Sequence, residues 1–133
     1  MQMSRIGRTL AGIAAMVFLV AGCNESTATE FDLTVTNNPD NFVAQSVTVL
    51  NESLDREYTW QNSGTRANVT HATIAENGVA RIVIRDAANV IVYDKSLTST
   101  LVEATQVGVA GSWRIEILLS GFSGSVNVRV QKL

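Results

Sequence analysis

The chain has 133 residues, a formal net charge of −2 and 46% hydrophobic residues, with much of the apolar content between Leu10 and Gly22. Outside that block it is polar, rich in Thr, Val and Asn and about one small domain long, which excludes a multidomain enzyme. One Cys excludes an intrachain disulfide, one His excludes a multi-histidine metal site, and 17% charged residues are too few for a coiled coil.

Residues 1–22 read as a signal peptide, to be set apart from the fold. Met1 to Arg8 carries Arg5 and Arg8 and no acid, and Thr9 to Val20 is an uncharged apolar run that predicts a signal helix. That run is shorter than the roughly 20 residues a permanent transmembrane helix needs. It ends in Val20-Ala21-Gly22-Cys23. An aliphatic residue, two small residues and a Cys resemble the lipobox of bacterial lipoproteins. The resemblance implies cleavage between Gly22 and Cys23, diacylglycerol on the Cys23 sulfur and an acylated new N-terminus. Asn24 stands directly after the Cys, where an Asp retains enteric lipoproteins in the inner membrane. Its absence implies sorting to the outer membrane. Cleavage removes Arg5 and Arg8 and leaves eight basic side chains against twelve acidic ones, a charge of −4. An acidic domain excludes nucleic acid as a partner and leaves membrane attachment to the acyl chains. Residues 23–30 form the lipidated Cys and a polar tether, Asn24 to Glu30.

From Phe31 to Leu133 the period is two and β-branched residues dominate. Phe31 to Thr36 alternates, and Asn37 to Asn41, with Pro39, supplies a turn. A second strand over Val43 to Leu50 places Val43, Val47 and Val49 on one face. Asn51 to Asp55 reads as a loop, Glu57 to Gln61 as a strand, and Asn62 to Gly64 as a turn. A strand over Ala67 to Ala75 meets Glu76-Asn77-Gly78, where Asn-Gly is a strong hairpin signal. Val79 to Arg85 puts Ala80, Ile82 and Ile84 on one face. Asp86 to Asn89 turns the chain into Val90 to Tyr93, which is apolar on both faces and therefore predicted to be central. Leu97 to Gly111 is irregular, with one strand around Leu101 to Thr105. Trp113, Ile115, Ile117 and Leu119 share a face, Gly121 to Gly124 turns the chain, and Val126, Val128 and Val130 close a final hairpin. Eight or nine short strands at this spacing predict a single all-β antiparallel β-sandwich over 31–133, immunoglobulin-like or jelly-roll in topology.

Gly108 to Ile117, followed by Ser123 to Val130, resembles the end of bacterial pre-peptidase C-terminal domains. These are small β-sandwiches appended to secreted proteins. Trp113 stands where that family commonly has Tyr or Phe. The resemblance implies the fold class and carries no catalytic residue over.

Chemistry has few candidates. His71 lies in a predicted strand and reads as a structural residue satisfied by a hydrogen bond rather than a general base. No GxSxG, HExxH or P-loop pattern occurs. Asp86, Asn89 and Asp94 are the one set that a hairpin could gather around Ca²⁺, although Asp and Asn are expected at turns anyway, and no metal or cofactor is assigned. Tyr58 and Trp60, two apart, project from one face: exposed they would form a stacking platform for a glycan or small ligand, and buried they would fill the core. These readings converge on a lipid-anchored, non-enzymatic module of the bacterial envelope. Its expected partners are the membrane, through Cys23, and an envelope protein or glycan. A glycan- or small-ligand-binding lipoprotein using Tyr58 and Trp60 is the alternative.

Overall fold

The computed structural model describes residues 31–98 and 100–133. Within them the alternating pattern gives seven strands: β1 (Thr34–Asn38), β2 (Asn41–Asn62), β3 (Ala67–Ala72), β4 (Ile74–Arg85), β5 (Ile91–Ser96), β6 (Thr100–Ala104) and β7 (Gly111–Lys132). All pairings are antiparallel. One path runs β1-β2-β7-β3-β6, while β4 pairs with β7 and β5 pairs with β4.

β2 and β7 each contain 22 residues. Straight, such a strand would run about 70 Å, far beyond the diameter of a domain of this size, so both must fold over. Asn41–Ser46 of β2 pairs with Val126–Gln131 of β7, and Leu54–Asn62 pairs with Gly111–Leu119. The first half of β2 and the second half of β7 join β1, β3 and β6 in one layer; the second half of β2 and the first half of β7 join β4 and β5 in the other. The two ends of β2 meet again, with the Asp40 N–H donating to the Gln61 carbonyl at 2.8 Å. The result is an all-β sandwich whose two layers share their central strands.

A line of bulges makes the corner. Register shifts fall between Ser46 and Leu54 in β2 and between Ala75 and Val79 in β4. Val49 lies opposite Gly124, Glu52 opposite Phe122 and Asn77 opposite Ser123, so the irregularities of three neighbouring strands coincide. Asn51 (φ 51°), Gly78 (φ 78°), Gly121 (φ 51°) and Gly124 (φ 142°) hold the left-handed conformations that re-aim the strands. The strands also come very close at this corner: a Cβ on Gly124 would sit 1.9 Å from the Ile74 carbonyl oxygen.

This corner corrects three expectations. Asn51 to Asp55, Glu76 to Gly78 and Gly121 to Gly124 are not chain reversals but bends inside continuous strands, so seven strands replace eight or nine. Gly and Asn at positive φ serve a bulge as well as a turn, and only pairing partners on either side decide between them. The same shifts undo the predicted face of the second strand. Phe42 and Ala44 point inward, Val49 follows on the opposite parity, and Val47 faces solvent. β5 is an edge strand rather than a central one. Its two-sided burial comes from the 106–109 loop, where the Gln106 N–H donates to the Val92 carbonyl at 2.9 Å and Gly108 packs on the Val92 side chain.

The core lies between the layers. Phe42, Val69, Val126, Val128 and Val130 of one meet Trp60, Ile82, Ile84, Trp113, Ile115 and Ile117 of the other, all buried.

Candidate functional site

Tyr58 and Trp60 share one face of β2, and that face is the inner one: Glu57, Thr59 and Gln61 take the solvent. Trp60 is fully buried opposite Trp113, with ring centroids 6.0 Å apart in an edge-to-face arrangement. Both indoles are satisfied: Trp60 Nε1–H donates to the Asn38 carbonyl at 3.0 Å, and Trp113 Nε1–H donates to the Val109 carbonyl at 2.7 Å. Tyr58 is half-buried, its ring tilted on Phe42 at 5.3 Å. Its phenol pKa is raised, chiefly by burial and then by the nearby Asp32 charge. The exposed stacking platform is therefore corrected. The pair brings together β1, β2 and β7 from inside, and the buried Trp60 cannot take part in a stacking surface.

His71 is fully buried on β3, between the layers. Its Nε2 lies 3.4 Å from the Tyr93 hydroxyl, which donates to Glu103 Oε1 at 2.8 Å. Lys95 Nζ stands 3.7 Å from the same carboxylate oxygen. Tyr93 comes from β5 and Glu103 from β6, so this polar chain bridges the edges of the two layers at their open seam. Beside it is a shallow cavity of about 280 Å³ lined by Ile91, Tyr93, Lys95, Glu103 and Gln106 among others. Burial, followed by the hydrogen bond to Glu103 and that group's charge, holds the phenol pKa far above its ordinary value. Tyr93 thus stays a proton donor on a carboxylate and braces the seam. Sequence reasoning missed Tyr93 and Glu103. Tyr93 sat in an apolar run and Glu103 in the irregular stretch, and no spacing links residues from two different layers.

The three residues considered for Ca²⁺ are occupied separately. Asp86 is buried and accepts from the backbone N–H groups of Ala88 (3.0 Å), Val90 (2.9 Å) and Val109 (2.9 Å). These bonds, that of Val90 first, pull its pKa down. Asn89 supplies the positive-φ residue of the β4–β5 turn (φ 66°). Asp94 forms a two-pronged ion pair with Arg81, at 2.8 and 2.7 Å. Asp86 therefore ties the β4–β5 turn to the loop before β7, and Asp94 ties β5 to β4.

Gly22 and Cys23 lie outside the described residues, as do all of the residues 1–30 read above as signal peptide and tether. No family model matches the chain, and no curated protein matches it in sequence. Among solved structures, the chain is similar to one in the crystal structure of accessory secretory protein 1, 2 and 3 in Streptococcus pneumoniae. The identity is 14% and the TM-score 0.36, with 76% of this chain and 85% of that one covered.

Proposed function

We propose that the protein is a bacterial envelope lipoprotein whose β-sandwich acts as a non-catalytic interaction or structural module, held at the outer membrane by acyl chains on Cys23. The observation that carries this reading is Val20-Ala21-Gly22-Cys23 behind a basic start and an apolar run, with the only thiol of the chain at the cleavage point. Two further features support a module that binds rather than reacts. The only imidazole is buried against Tyr93, and the Asp86 carboxylate is spent on backbone amides. Among the described residues, β1 and β6 each pair with one neighbouring strand, which leaves strand edges on which an extended segment of an envelope partner can add.

The test is Cys23→Ser. A hydroxyl is a far poorer nucleophile than a thiolate, so lipid transfer fails and with it cleavage after Gly22. Each buried acyl CH₂ contributes about 0.8 kcal/mol, so loss of the chains removes the membrane affinity of an acidic domain. Wild type should incorporate labelled palmitate in a bacterial host, while the variant should run as unlabelled precursor or be released. Equal labelling of the two, or an unlipidated intact mass for wild type, refutes the reading.

A further inference from the structure

The corner of the sandwich carries an apolar patch that the core does not use. Val47 is 88% exposed, Leu50 73% and Ile74 63%, and the three line one shallow depression beside Glu76 and Gly124. Large aliphatic side chains gathered on a small acidic domain mark a surface that is covered in use.

The course of the chain says by what. β1 is antiparallel to β2, with Thr34 opposite Gln45, so the chain upstream of Thr34 runs toward the corner. Asp32 is held there by Arg56, whose Nε is 3.4 Å from its carboxylate, beyond the bend in β2. Phe31, the first described residue, therefore lies toward the corner end of the domain. Residues 24–30 alone separate it from Cys23, a reach of about 25 Å at full stretch. The far end of the sandwich, with Val107 and the Pro39–Asp40 turn, lies a half-strand further, again on the order of 25 Å. The residues lining the depression include Glu76 and no Lys or Arg, so attraction to anionic headgroups does not drive the contact. Apolar insertion does.

We propose that the corner rests on the lipid leaflet that holds the Cys23 anchor, with Val47, Leu50 and Ile74 entering its interface. The proposal builds on the lipoprotein reading above and adds an orientation: the Pro39–Asp40 end points away from the membrane.

The test uses the full lipidated protein in phosphatidylcholine–phosphatidylglycerol vesicles. Because an acylated Cys23 has no free thiol, Val47→Cys, Leu50→Cys or the far-end Val107→Cys each supplies a single site for an environment-sensitive fluorophore. Probes at 47 and 50 should shift to the blue and be quenched by nitroxide-labelled lipid several-fold more than the probe at 107, in low and high salt alike. Leu50→Asp should return the probe at 47 to water. Probes at 47 and 50 that stay as solvated as 107 overturn the proposal. So does a blue shift without nitroxide quenching, which would mean that a second copy covers the patch. Intact mass separates the two levels: an unlipidated product overturns the lipoprotein reading and this proposal together, whereas a lipidated product with solvated probes overturns the proposal alone.

Discussion

Replacing Gly124 by Ala tests whether the corner is built as described. Its φ of 142° is one that L side chains rarely adopt, and the new methyl would sit 1.9 Å from the Ile74 carbonyl oxygen and 3.0 Å from its carbon. Those are backbone atoms, so relief requires β4 to move by about 1 Å or more away from β7, against the pairing of Ile74 with Ser125 and Ala75 with Gly124. Backbone strain of about 1–3 kcal/mol and overpacking of about 1–3 kcal/mol add to any ladder hydrogen bond lost, at about 1 kcal/mol each. The expected loss is at least about 3 kcal/mol, a large share of a small domain's stability. Two sister substitutions calibrate it. Gly121 has φ 51° but no atom closer than 3.6 Å to the added Cβ, so Gly121→Ala should cost only about 1–2 kcal/mol of left-handed strain. Gly64→Ala meets the flexible Lys132 side chain at 2.9 Å and should change stability by less than about 1 kcal/mol. Urea denaturation followed by the fluorescence of buried Trp60 and Trp113 measures all three. A Gly124→Ala loss within about 1 kcal/mol of that for Gly121→Ala would refute the close approach of β4 and β7.

Trp60→Ala should cost about 3–5 kcal/mol, because it removes a fully buried ring and its edge contact with Trp113; a near-neutral result in the same denaturation assay would contradict the burial. Asp86→Ala should cost about 3 kcal/mol at pH 7 by stranding three backbone amides. Since the folded pKa of Asp86 is depressed, its contribution is present above the ordinary carboxylate range and is lost as pH falls through the lowered value, so variant and wild type should converge in acid melts. Glu116 has the opposite sign. A hydrogen bond with Asp55, then burial and the charges of Asp55 and Glu57, raise its pKa, so its favourable contribution at low pH is lost as pH rises through that raised value. Glu116→Gln should therefore stabilise the protein by about 0.5 kcal/mol at pH 7 and lose that gain near pH 4, as read by melts at the two pH values.

The all-β sandwich was legible because alternation is local. Ala80, Ile82 and Ile84, Trp113 to Leu119, and Val126 to Val130 all bury the face their spacing predicts. The Pro39–Asp40 reversal was legible too, since Asp40 takes the positive φ its neighbourhood advertises (65°). The corner was not, because Asn51, Gly78 and Gly121 carry the same local chemistry whether the chain reverses or merely bends. What separates the cases is the register of β2 against β7 and of β4 against β7, set by residues some seventy positions apart for Glu52 and Phe122. Separation in sequence also hid the bridge of His71, Tyr93 and Glu103, which come from three different strands. The aromatic pair shows a third limit. Tyr58 and Trp60 were rightly placed on one face, but a period of two says that residues share a face and not which face is wet.

β2, β3 and β4 all take a partner strand from β7, which is synthesised after every strand it joins. Until residues 111–132 emerge, the earlier described strands can form only two-stranded pairs such as β1 with β2 or β4 with β5, and isolated pairs of that kind are marginal in water. Among the described residues, closing of the sandwich therefore waits on β7. Chain order thus acts as a timer: the domain closes in one cooperative step once β7 is present, because neither layer exists without the strands they share.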